Sequence, residues 1–134
     1  MSLITSVRRE ILTALKANST VTAIVPAARI YPSKTPDGPT YPFIRYGAAS
    51  MEPHSLSCWK GGTVSGMVHC FVGVGGAIVD AEATCGDLTE AMSDCIGALS
   101  TTFATSFQIM ADSEEPDVWH GFVQFETTLL EERP

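Results

Sequence analysis

Positive charge is scarce in this chain of 134 residues: eight Lys and Arg stand against fifteen Asp and Glu, a formal net charge of −7. A chain of that sign repels phosphate backbones, which disfavours nucleic-acid binding as its main work. Solubility is the plain explanation of the acidity, although a surface past which DNA slides without sticking has the same sign. The four cysteines, at 58, 70, 85 and 95, include no C-x-x-C pair of the kind that builds zinc or redox sites. They are expected to be reduced and mostly buried, which points to folding in the cytosol. No run of eighteen apolar residues occurs. The most apolar stretch, Met67 to Val79, contains His69 and three glycines and is too short for a bilayer span. The amino-terminal residues lack the order of a secretory signal, so neither export nor a membrane partner is expected.

Catalytic signatures are also missing. Gly73, Gly75 and Gly76 sit between a strand pattern and a helix pattern, but neither a third spaced glycine nor a Gly-Lys-Ser/Thr ending follows, and a strand-to-helix turn explains them better. There is no G-x-S-x-G elbow. His54, His69 and His120 have no partner at helical metal spacing. His69 and His120 are read as strand residues and His54 as a loop residue. The acidic run from Asp112 to Asp117 lacks the spaced ligands of a calcium loop and is read as a solvated hairpin turn. No catalytic residue, metal or other cofactor is nominated, and no enzyme is expected.

What is present fits one α+β domain spanning residues 1–134, with a single mixed, mainly antiparallel sheet and two helices, one N-terminal and one long and central, on one of its faces. Leu3, Val7, Ile11 and Leu15 recur at helical spacing over residues 3–17, with Ser2 as candidate N-cap. Val21 to Val25 makes a further short turn before Pro26. Arg29-Ile30-Tyr31 is extended, and the proline-rich 32–39 segment is a loop. A strand is predicted over 41–49, a long hairpin loop over 50–62, and a second strand over 63–74. That second strand has two apolar faces, Val64, Val68, Cys70, Val72 and Val74 on one side and Met67, His69 and Phe71 on the other. Either both faces are covered or one of them meets another subunit. From Ala77 onward, Ile78, Ala81, Cys85, Leu88, Met92, Cys95 and Leu99 keep the three-four spacing of an amphipathic helix. A strand around Phe107–Met110 and another over 118–130 close the pattern as a hairpin.

Long irregular loops in compact domains are often functional, so the 50–62 segment holds the candidate interaction residues Glu52, His54, Leu56, Trp59 and Lys60. Trp59 is either an interface anchor or a cover over its own core. The same segment supports a second reading, a small-ligand or metal site, because His54, Cys58 and Trp59 lie close together in sequence.

The order of elements resembles a family of small phage proteins, the tail-completion or tail-terminator proteins that join tail to head. The matching features are the amphipathic first helix, Arg29-Ile30-Tyr31-Pro32, and the proline-rich loop into Tyr41-Pro42-Phe43-Ile44. They continue with the long loop, the strand, the glycine turn into the central helix, and Trp119-His120-Gly121-Phe122-Val123-Gln124-Phe125. Each motif is short and common, so their order carries the weight. The resemblance implies a structural virion protein that forms a homo-oligomeric ring, typically a hexamer. Such a ring caps the tail tube and meets a head-side connector or stopper protein, and DNA passes through its lumen without specific binding. The family's pattern transfers no catalytic residue. The cysteine-bearing, glycine-containing central helix departs from a generic member.

Overall fold

The fold is taken from a computed structural model that describes residues 2–55, 59–75, 78–115 and 117–132. Helix α1 runs Leu3–Ala17, and Ser2 caps it by accepting a hydrogen bond from the Thr5 amide at 3.3 Å. Val7, Ile11 and Leu15, four residues apart, are buried along one stripe. Asn18 ends α1 and caps the short helix α2 (Ser19–Thr22), its Oδ1 accepting from the amides of Thr20 and Val21, both at 3.0 Å. This turn drives Val21 into the core. A 3-10 turn at Ala27–Arg29 leads into the two-residue strand β1 (Ile30–Tyr31).

Four longer strands follow: β2 (Phe43–Ser55), β3 (Trp59–Gly73), β4 (Thr102–Ala111) and β5 (Val118–Glu132), with helix α3 (Ala81–Gly97) between β3 and β4. They form one sheet in the order β1-β2-β3-β5-β4. Among the described residues only the β1–β2 pairing is parallel. Both long helices pack on one face of this sheet, α1 over β1, β2 and β3, and α3 over β3, β5 and β4. The core lies between, formed by Val7, Ile11 and Leu15 of α1, Cys85, Leu88 and Met92 of α3, and Ile44, Val68, Val123 and Phe125 of the sheet.

Several boundaries differ from the sequence expectation. The 50–62 segment is not a long loop: β2 continues to Ser55 and β3 starts at Trp59. Leu56–Cys58 lie outside the described residues. Pro53, Gly61 and Gly62 looked like loop residues because of their weak strand preference. Pro53, however, lies beyond the reach of β1, on a part of β2 that has no outer neighbour among the described residues, where a missing amide donor is tolerated. Gly62 lets two backbones close up, since a Cβ there would lie 2.6 Å from the Glu52 carbonyl oxygen. Long-range pairing of β3 with β5, from Gly73↔Val118 to Trp59↔Glu132, completes the ladder that local propensity failed to signal. His54 is accordingly a strand residue.

The strand β4 also begins earlier than Phe107, at Thr102, where the Thr102 and Thr127 hydroxyls meet at 2.7 Å in a buried cross-strand bond. Helix α3 begins later than Ala77. Ile78 and Gly75 exchange two backbone hydrogen bonds of 2.9 and 3.0 Å, and Asp80 then caps the helix by accepting from the Ala83 amide at 3.1 Å. The strand β3 ends at Gly73, so Val74, expected on its buried face, is exposed.

Gly121, the centre of the Trp-His-Gly run, has a packing reason. A Cβ at this position would overlap the Thr89 hydroxyl of α3 and lie 2.9 Å from Cys70 Sγ. The absent side chain lets α3 seat directly on β5. Thr89 uses its hydroxyl to donate to the Cys85 carbonyl at 2.7 Å, and Cys70, Cys85 and Cys95 are free, buried thiols.

Candidate functional site

The sheet face turned away from the helices carries a row of rings set by register. Phe43, Phe71, His120 and Met110 are successive cross-strand neighbours on β2, β3, β5 and β4. Phe43 and Phe71 stack at 4.9 Å between centroids, and Phe71 and His120 at 4.4 Å with only 6° between planes. Tyr41 extends the row beyond Phe43 at 5.5 Å, and the Arg45 guanidinium lies 5.8 Å from the Phe71 centroid.

The next row holds Arg45, His69, Phe122 and Gln108. His69 Nδ1 and His120 Nε2 are hydrogen-bonded at 2.9 Å, so one ring donates and the other accepts. That bond requires at least one neutral ring. Burial first, then the charges of His120 and Arg45, push the His69 pKa down to about 4. Burial likewise lowers His120, Asp112 opposing and Arg45 reinforcing the shift. At neutral pH both rings are therefore uncharged and serve as polar aromatics in the row.

Beyond this patch the sheet is kinked at two bulges at the same level, between Tyr46 and Ala49 on β2 and between Ala104 and Ser106 on β4. A shallow groove crosses the open face there, lined by Ala48, Ser50, Ser65, Met67, Gln124 and Glu126. Past it, β2, β3 and β5 continue as a three-stranded arm that outruns β4, which starts opposite Thr127.

Of the candidate interaction residues, Glu52, His54, Trp59 and Lys60 fall on this arm. Glu52 is exposed and pairs in register with Thr63. His54 lies opposite Gly61, and its Nε2 is 3.0 Å from Thr63 Oγ1, which in turn meets Thr128 Oγ1 at 2.9 Å. Trp59 and Lys60 are placed by backbone register opposite Glu132 and Glu131. Leu56 lies outside the described residues, as does Cys58 of the metal reading. Among the described residues no three His, Cys, Asp or Glu side chains gather as a metal site. No described helix is long and apolar enough to cross a membrane.

Sequence reasoning missed the contact between His69 and His120 and the exposure of β4. The first depends on a strand register linking residues fifty-one positions apart. The second had no signal: the run Thr102 to Ala111 contains no charged residue and reads as a covered strand. Phe103 is nevertheless 71% exposed and Phe107 49% exposed.

The fold resembles that of a chain from the virion of a native gene transfer agent (GTA) particle. The TM-score is 0.75 and the identity 15%, over 98% of this chain and 100% of the other. No curated protein matches in sequence. The family described as tail completion protein gp17, a family of structural phage tail proteins, matches residues 9–130, most of the chain, from within α1 into β5. That extent shows the family that the order of elements resembled, and the chain belongs to the tail completion protein gp17 family.

Proposed function

We propose that this chain is the tail terminator of a tailed phage or phage-derived particle. Copies of it close into a ring, a hexamer, that caps the tail tube and joins it to a head-side connector or stopper protein. The genome passes through the lumen without specific binding. The chain is made in the cytoplasm of the bacterial host, works in the virion tail and carries out no catalysis. The observation that carries this reading is the family match across residues 9–130. Three features support it: a sheet with one face free of helices, an arm reaching past the core, and a net charge of −7 that suits a channel for DNA.

In this reading Glu52, His54, Leu56, Trp59 and Lys60 contact the neighbouring copy or the tube. Trp59→Ala is expected to leave the fold intact by circular dichroism and to weaken tube capping by about 2 kcal/mol. Loss of folding would instead make Trp59 a core residue.

Deletion of the gene from a particle-producing host tests the function. Electron microscopy is expected to show unattached heads and tails whose free ends lack a ring, with joining restored by a plasmid copy. Normal, joined particles in the deletion strain would sink the proposal.

A further inference from the structure

The two edges of the sheet differ in a way that defines how copies meet. Strand β4 forms one edge. Isolated edge strands are ordinarily blunted by charge, by proline or by shortness, because their free amides and carbonyls recruit other strands. The ten residues of β4 include no Lys, Arg, Asp, Glu or Pro. The bulge at Ala104/Ser106 divides it without covering it. At the other edge β1 pairs only with Ile44 and Arg45, leaving the outer side of β2 without a partner among the described residues from Tyr46 to Glu52, up to Pro53.

Charge is distributed across the same axis. Residues 1–34, which build α1 and the β1 edge, hold five bases, Arg8, Arg9, Lys16, Arg29 and Lys34, against one acid, Glu10, a balance of +4. Residues 80–117, which build α3, β4 and the turn after it, hold nine acids and no Lys or Arg, a balance of −9. Glu82, Asp87, Glu90 and Asp94 are exposed on α3, as are Arg9 and Lys16 on α1.

We infer that copies of this chain associate head to tail, the outer edge of β4 pairing antiparallel with the outer edge of β2 in the next copy, so that the acidic α3 of one lies beside the basic α1 of its neighbour. The direction follows from topology. The antiparallel pairings make β2 and β5 run one way and β3 and β4 the other, so a copy added in the same orientation presents β2 antiparallel to β4. Both helices lie on one face, α1 toward β1 and β2 and α3 toward β4, so continuing the sheet brings α3 of one copy up to α1 of the next. The alternative two-fold pairing of β4 with β4 sets one acidic helix against another, and like charges across an interface suppress such a pairing. A head-to-tail contact uses two different patches and closes into a ring when its rotation divides the circle. The twist of a sheet supplies rotation at every step.

The inference rests on the ring reading above, and reciprocal charge reversal separates the two. Glu90→Lys with Asp94→Lys changes exposed positions of α3, and Arg9→Glu with Lys16→Glu changes exposed positions of α1. Assembly is read as mass by sedimentation, alone and on tail tubes, with circular dichroism confirming that each variant folds. Wild-type rings are expected to weaken as salt rises. Each reversal alone is expected to lower the association constant about a hundredfold, and all four substitutions together to restore it. Hydrogen exchange on wild-type rings is expected to show new protection in β4 and in residues 46–52 of β2. Rings indifferent to both reversals, protection confined to other segments, or a two-fold dimer would overturn this interface while leaving the family reading standing. A wild-type chain that forms no ring, alone or on tubes, removes the ring reading and this interface with it.

Discussion

The two faces of strand β3 are built to opposite standards. Toward the helices it presents Val64, Val68, Cys70 and Val72, all fully buried. Toward the other side it presents Met67, His69 and Phe71, all only half-buried. The covered face is closed by shape. Gly121 leaves room for Thr89, Thr89 satisfies its own hydroxyl on Cys85, and Phe125 fills the space beside Tyr46, 5.9 Å between ring centroids. The open face is held by flat rings stacked in register, Phe43 buried and Phe71 and His120 half-buried. One face of the sheet closes the core, and the other leaves part of its apolar and aromatic area exposed.

Three measurements break or sharpen that contrast, beginning with the largest effect. Phe125→Ala removes a ring that is 1% exposed on the covered face. It is expected to cost about 3–5 kcal/mol in denaturant unfolding. A loss below about 1 kcal/mol would mean that the covered face is not the tightly packed one.

The second is a pH effect on the open face. His69 takes up its proton only near pH 4 in the folded chain, whereas the unfolded chain does so near 6.5. Between these values the unfolded state binds more protons. Stability is therefore full above pH 6.5 and declines as pH falls toward about 4. His120 contributes in the same direction. His69→Gln is expected to flatten this part of the profile relative to wild type, and parallel profiles would remove the imidazole pair as its source. The difference between variant and wild type is the quantity to read.

The smallest effect belongs to Phe103→Ser. Phe103 is 71% exposed on β4, and its loss is expected to change folding stability by less than about 0.5 kcal/mol. Two phenylalanines of one sheet would then differ several-fold in their contribution to folding, according to the surface each occupies. A cost above about 2 kcal/mol at Phe103 would show that β4 is already committed to the monomer's own core.

Much of the fold was legible in local pattern. Ser2 and the four-residue spacing of Val7, Ile11 and Leu15 announce α1, and the stripe through Cys85, Leu88 and Met92 announces α3. The boundaries that failed depend on distant partners. Thr102 looks like loop until it meets Thr127, and Gly62 looks like a turn until the Glu52 carbonyl closes on it. The candidate site was legible only as a segment. The arm carrying Glu52, His54, Trp59 and Lys60 was located in sequence, but its strand geometry comes from pairing with β5.

By itself the sequence determined the class of domain, the helices, the acidic balance, the apolar character of both faces of β3, and a family resemblance carried by element order. These are properties of composition and short-range periodicity, and they do not change with how the strands are arranged. Only the tertiary structure decided which apolar surface the helices cover and that His69 and His120 share a hydrogen bond. It alone also set the +4 segment, residues 1–34, and the −9 segment, residues 80–117, at opposite edges of the sheet. Strand order and register join residues far apart in the chain, and no local pattern records which strands will be neighbours.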